Sequence, residues 1–256
     1  MLPRGSRLNF DLLLAILVGL WLCTTPAIAS AQHPPSSVQL RPAMLLWNVG
    51  LEEGRGGDKL IETITPATWQ DRDSWRVTHY SSDPNHSKIN AFDLYDLDRQ
   101  SMAPLRSVSN SKNGKLELEY SNQSITVRSS THRSRRSEKI KLRGPLLPEG
   151  PGLTALVATL PLQVGYTLNY QIVDRWSGNE NSRLKNMTLR VTSRAIIASA
   201  LGPVDCFEIF IQPTDNSFEI HEYAIAAGLH WPVRMTYTRR GTKLTSEVIA
   251  IAVANE

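Results

Sequence analysis

Cysteine is nearly absent from this chain of 256 residues: there are two, and Cys23 lies in the apolar N-terminal stretch, leaving Cys206 alone in the remainder. No internal disulfide can staple the body of the protein, so its stability must come from a core of ordinary size. Charge of one sign is also scarce. Lys and Arg number 28 against 24 Asp and Glu, a net charge of +4, too mild to imply nucleic acid by itself. Beyond the N-terminus no apolar run approaches the roughly 20 residues of a membrane-spanning helix. Catalytic signatures are missing as well. There is no G-x-S-x-G elbow. His221-Glu222 starts like a helical zinc-protease motif, but Ile225 stands where the second histidine belongs and the segment reads as a strand. Gly50 to Gly57 is glycine-rich, yet no Lys-Ser/Thr pair follows it as in a phosphate-binding loop.

What is present begins with an export signal. Arg4 and Arg7 precede an unbroken apolar run from Leu12 to Leu22, and Pro26-Ala27-Ile28-Ala29-Ser30-Ala31 supplies small residues at −3 and −1 of a cleavage site. Cuts after Ala29 and after Ala31 both fit, the second better. Thr24, Thr25 and Pro26 weaken the alternative of a retained anchor, and Leu22 before Cys23 argues against lipidation. Residues 1–31 are therefore expected to be removed, residues 32–44 to form a Pro- and Ser-rich tether, and residues 45–256 to fold as one β-rich domain. Removing 1–31 takes away two arginines and one aspartate, so the net charge falls to +3.

Downstream, apolar and polar residues alternate in short runs separated by turn residues, the pattern of antiparallel strands with one wet face. Leu116, Leu118 and Tyr120 follow the Asn113-Gly114 turn. Tyr166, Leu168, Tyr170 and Ile172 form a second set, Met187, Leu189 and Val191 a third, and Val233, Met235 and Tyr237 a fourth. Gly202-Pro203 and Arg240-Gly241 mark breaks. Long helices do not alternate with the strands, which argues against βαβ units and a parallel sheet. One short helix fits Gly152 to Leu160, opened by Gly150-Pro151 and stopped by Pro161. The predicted fold is mainly β, a curved antiparallel sheet or open half-barrel with one or two short helices.

Three features bear on chemistry. Asp93, Asp96 and Asp98 cluster without the glycine of a calcium loop, and on a strand Asp93 faces away from the other two; a solvated strand end is expected. Arg128, Arg133, Arg135, Arg136, Lys139, Lys141 and Arg143 crowd sixteen positions opposed by Glu138 alone. That run suits anionic headgroups or other envelope phosphates, and it equally suits a hydrated loop. Five tryptophans follow the signal, and aromatics on a curved sheet line either a core or an apolar ligand site. Cys206, within Val204 to Ile211, reads as a small buried hydrophobe.

The order of several short motifs resembles a known family: Leu160-Pro161-Leu162 with Gly165-Tyr166, Leu189-Arg190-Val191, Gly202-Pro203-Val204-Asp205-Cys206, and Trp231-Pro232-Val233-Arg234, with Asp98-Arg99 and Pro104-Leu105-Arg106 before them. Over roughly residues 45 to 250 the chain is similar to a bacterial exported family catalogued as domain of unknown function 3108. The resemblance implies a Gram-negative envelope protein with an open curved sheet like the half-barrels of periplasmic lipoprotein carriers. It carries no catalytic residue or cofactor. The functional expectation is non-enzymatic binding of a lipid or apolar envelope component on the concave face, with Tyr170, Trp176 and Trp231 as ligand contacts. Arg133, Arg135, Arg136, Lys139 and Lys141 are the expected anion or membrane contacts. A module docking an envelope protein or polysaccharide is the alternative, and an unrecognised hydrolase a third. No nucleic-acid partner is expected.

Overall fold

Alternating inward and outward side chains run through fourteen strands of one antiparallel sheet in the computed structural model. The structure describes residues 40–254 apart from 52–57, 83–88, 112–113, 133, 143, 175–183, 216–218 and 240. The signal region, Arg133, Arg143 and Trp176 thus lie outside the described residues.

Two meanders build the sheet. The first comprises β1 (Ala43–Leu51), β2 (Lys59–Trp69), β3 (Arg72–Ser82), β4 (Ile89–Asp98), β5 (Pro104–Ser111), β6 (Gly114–Tyr120), β7 (Ser124–Ser130) and β8 (Arg135–Lys141). The second comprises β9 (Thr167–Val173), β10 (Leu184–Ser199), β11 (Gly202–Pro213), β12 (Glu219–Ala226), β13 (Pro232–Arg239) and β14 (Thr242–Val253). Each strand pairs with its sequence neighbour, and β1 pairs with β14, so the meanders join in the middle and β8 and β9 form the two edges. The sheet is not closed by a β8–β9 ladder. It curls nevertheless: Leu118, Ile125 and Val127 of β6 and β7 share an apolar cluster with Val173 of β9 and Leu146. The chain leaving β8 covers the β9 edge, where Leu147 N–H donates to Gln171 O at 3.0 Å and Gln171 N–H to Pro145 O at 3.2 Å.

Between the meanders the chain crosses the concave face as a single helix, α1 (Pro151–Ala158), the one helix among the described residues and close to the predicted span. Pro151 pre-sets the first turn, where no N–H partner is needed. Gly150 before it has φ 55°, a left-handed conformation that glycine adopts without penalty. At the other end Thr159 closes the turn, its N–H and its hydroxyl both donating to Leu156 O. Every residue of α1 is buried. It packs on β3, β4 and β13, and it can do so because Gly152 lies against Tyr95. A Cβ there would meet Pro148 Cβ at 2.6 Å and the Tyr95 ring at 3.1 Å.

The inward-facing residues, among them Leu45, Trp47, Ile64, Trp75, Val77, Tyr95, Leu189, Ile209 and Trp231, form the main core around α1. Cys206 sits in a second, outer cluster with Ala224, Ala226 and Val233; it is free and fully buried, as expected for a small hydrophobe. Val233 belongs there although Met235 and Tyr237 face inward. A register shift between Ala224 and Ile225 accounts for the exception to the predicted alternation.

The aspartate cluster corrects one expectation. Asp93 does face away from Asp96 and Asp98, but the cluster is no solvated strand end. Asp96 is fully buried and accepts from Arg76 Nε at 2.7 Å. Asp98 Oδ1 accepts the Gln100 and Ser101 backbone N–H groups at 3.2 and 2.9 Å, and Oδ2 accepts Arg72 at 2.7 Å, which shapes the β4–β5 turn. No helix among the described residues is long and apolar enough to cross a membrane.

Candidate functional site

A cavity of about 250 Å³ remains between α1 and the concave face of the sheet. One wall is apolar and aromatic, with Trp47, Leu60, Leu153, Tyr170, Met187 and Tyr223. Polar side chains face it as well, in two sets: Glu62, His79 and Asp93, and Asp174, Glu219, His221 and Tyr237.

The first set is a row across three strands. Pairing places Glu62 of β2 opposite His79 of β3, and His79 opposite Asp93 of β4. Neighbouring strands lie about 4.8 Å apart, so the three side chains stand abreast, and all line the cavity. On the next strand, Leu45 of β1 is opposite Glu62 and fully buried. Glu62 is the deepest of the three, 2% exposed. Burial drives its pKa up to about 8, and the Thr154 hydroxyl of α1 and the Trp47 indole oppose that rise only in part. Its Oε1 accepts no well-aligned hydrogen bond.

The second set comes from the other meander. Lys185 of β10 bridges Asp174 Oδ2 at 2.7 Å and Glu219 Oε2 at 2.9 Å. His221 Nε2 approaches Glu219 Oε1 at 3.5 Å, and the Tyr237 hydroxyl donates to the same oxygen at 3.3 Å. The His221 and Tyr237 rings lie 4.7 Å apart. The His221 contact and the Lys185 ammonium hold Glu219 down to about 2 against the opposing effect of burial. Burial works against the charge of Lys185, but Asp174 and Glu219 outweigh it and raise its pKa. Here a half-buried ammonium is matched by two carboxylates, which offsets its partial loss of water.

Of the expected ligand contacts, Tyr170 lines this cavity, fully buried, and burial raises its phenol pKa. Trp231 is 2% exposed and packs in the main core. Sequence reasoning passed over Glu62, His79 and Lys185, and it read Asp93 as part of a solvated strand end. The signal was there for two of them: Glu62 lies between the buried Leu60 and Ile64, and His79 continues the buried phase of Trp75 and Val77. A charge in the buried phase of a strand is an anomaly that calls for a reason. His221 lies on a strand, and among the described residues no group of three or more His, Cys, Asp or Glu side chains is arranged to hold a metal ion.

The basic run maps to an edge. Arg135, Arg136, Lys139 and Lys141 are exposed on β8. Arg135 and Arg136 border an open groove of about 410 Å³ with Lys115, Glu117 and Arg128. Acidic neighbours offset the groove: Lys115 pairs with Glu117 at 3.1 Å and Arg128 with Glu119 at 3.0 Å. Charges along an edge strand also deter edge-to-edge pairing.

The family model described as Protein of unknown function (DUF3108) matches residues 50–242. The chain's fold is similar to that of a β-barrel-like protein of the DUF1849 domain family from Brucella abortus, at 10% identity and a TM-score of 0.57. The match covers 85% of this chain and 99% of that one. A weaker likeness, TM-score 0.33 at 11% identity, links it to the hypothetical lipoprotein YmcC from Escherichia coli, covering 98% of this chain and 100% of that one. No curated protein matches the sequence.

Proposed function

We propose that this chain, which belongs to the DUF3108 family, is an exported binding protein of the cell envelope. On this reading it holds a small, largely apolar ligand without transforming it. The observation that carries the proposal is the cavity itself. A sheet that could have packed tightly on α1 leaves about 250 Å³ walled by Trp47, Tyr170, Tyr223 and aliphatic side chains. Preformed concave sites with an apolar wall and a few convergent polar groups are the usual form of small-molecule sites. The size is modest: α1 occupies most of the concave face, which favours a short acyl chain or compact apolar group over a whole lipid. Export rests on the basic, apolar and small-residue layout of residues 1–31.

Native mass spectrometry of the protein collected from the envelope fraction, followed by solvent extraction, tests both parts. The expected result is a polypeptide lacking residues 1–31 with a small apolar adduct. A bare polypeptide that also fails to take up an environment-sensitive apolar dye overturns the binding reading.

One observation favours a second reading, a docking module for an anionic envelope partner. The β8 edge presents Arg135, Arg136, Lys139 and Lys141 together. Reversing these four charges abolishes capture of such a partner if this reading holds and leaves the cavity ligand in place.

A further inference from the structure

We infer that the occupant of the cavity carries a cationic head, a primary ammonium group on a short apolar body, seated on Glu62. The inference rests on the binding reading above and specifies the chemistry of its ligand. Five carboxyl groups line the cavity: Glu62, Asp93, Glu149, Asp174 and Glu219. The side chains of opposite sign on the lining are His79 and His221, and Lys185, which pairs with two of the lining carboxylates, is committed to Asp174 and Glu219. A site so composed attracts a cation and repels an anion.

Glu62 fixes the place. Its carboxyl is almost completely removed from water, yet Oε1 lacks a well-aligned donor. A buried acceptor left in that state is costly, and an ammonium supplies three donors at once. Trp47, beside Glu62, together with Tyr170 and Tyr223 completes an aromatic surround of the kind that favours alkylammonium groups. Charge-assisted contact with Glu62 then adds to burial of the apolar body against Met187 and Leu60.

The test compares three probes of one chain length at neutral pH by isothermal titration against the intact exported protein: hexylammonium, hexanol and hexanoate. The expected order is ammonium tightest, at least about tenfold over the alcohol, with the carboxylate weakest. Glu62→Gln should remove the ammonium advantage, bringing hexylammonium and hexanol to similar affinity. Because titration of a variant presupposes its folding, a second measurement uses the native chain. Carbon-13 resonances of the glutamate carboxyls should show Glu62 turning to its charged form when hexylammonium is added and staying unchanged with hexanol. If alcohol and ammonium bind equally and Glu62 does not respond, the cationic inference falls while the apolar cavity reading stands. Preference for hexanoate overturns the inference outright, and absence of binding by all three overturns both readings.

Discussion

Replacing Glu62 with glutamine tests the energetics of the cavity wall through pH. In the unfolded chain this carboxyl has the ordinary value of 4.5, and in the folded protein burial lifts it to about 8. Below pH 4.5 the group is protonated in both states and contributes nothing to the pH dependence. As pH rises from there, the unfolded chain loses the proton while the folded protein keeps it. The folded state then binds more protons, and stability falls with rising pH. The slope approaches 1.4 kcal/mol per pH unit, and the full gap amounts to about 5 kcal/mol above pH 8. Glu62 is 2% exposed, so bulk water screens little of this. Glutamine reproduces the shape of the protonated carboxyl and cannot ionise. Urea unfolding of both proteins at intervals between pH 5 and 8 should show Glu62→Gln gaining on the native chain by roughly 3–4 kcal/mol over that range. Taking the difference cancels other groups, including His230, whose pKa burial lowers and whose contribution has the opposite sign. Parallel stability curves for the two proteins would refute the reasoning, because a carboxyl that titrates normally in the fold gives no differential slope.

Three further outcomes follow from the geometry. Gly152→Ala should cost about 1–3 kcal/mol in urea unfolding, because the new methyl overlaps Pro148 and presses on Tyr95; an unchanged midpoint means α1 can lift away. Glu219, held at about 2 with its stabilising partners, contributes stability that is present above pH 4.5 and lost as pH falls toward 2. Lys185→Met removes one of those partners, so it should lower stability at neutral pH by about 1–3 kcal/mol and flatten the acid loss; thermal melts at neutral and acid pH read both. The Cys206 thiol, fully buried and with its pKa raised chiefly by burial, should resist an aromatic disulfide reagent in the native protein and react promptly in denaturant. Fast native labelling would contradict its place in the outer cluster.

The antiparallel sheet was legible because period-two alternation is a property of contiguous residues. Leu116, Leu118 and Tyr120, or Leu168, Tyr170 and Ile172, declare their inner face with no reference to the rest of the chain. The helix was legible from its punctuation, Gly150-Pro151 before and Pro161 after. The candidate site was not read, for a physical reason. Glu62, His79 and Asp93 become one row only through the registers of β2, β3 and β4, and register depends on loop lengths and partner strands. The reading of Val233 with Met235 and Tyr237 failed on the same ground, since a shift in pairing at Ala224 and Ile225 moves it to the outer cluster. Of the three aromatics expected as ligand contacts, Tyr170 lies on the cavity wall and Trp231 in the core, and Trp176 lies outside the described residues.

The pairing of β1 with β14 has a consequence for how the chain is made. Each meander forms from neighbours in sequence, a fast and local process, but the seam between them joins Ala43 to Val253 and waits for β14, the last strand of the sheet, to be made. Until then β1 presents a naked strand edge carrying Leu45 and Trp47. The newborn molecule is thus most prone to stick to its neighbours while β14 is still missing. Truncations that remove β14 should accumulate as aggregates, not as shortened soluble proteins, and a chaperone that shields β1 would act upon the whole sheet by guarding nine residues of it.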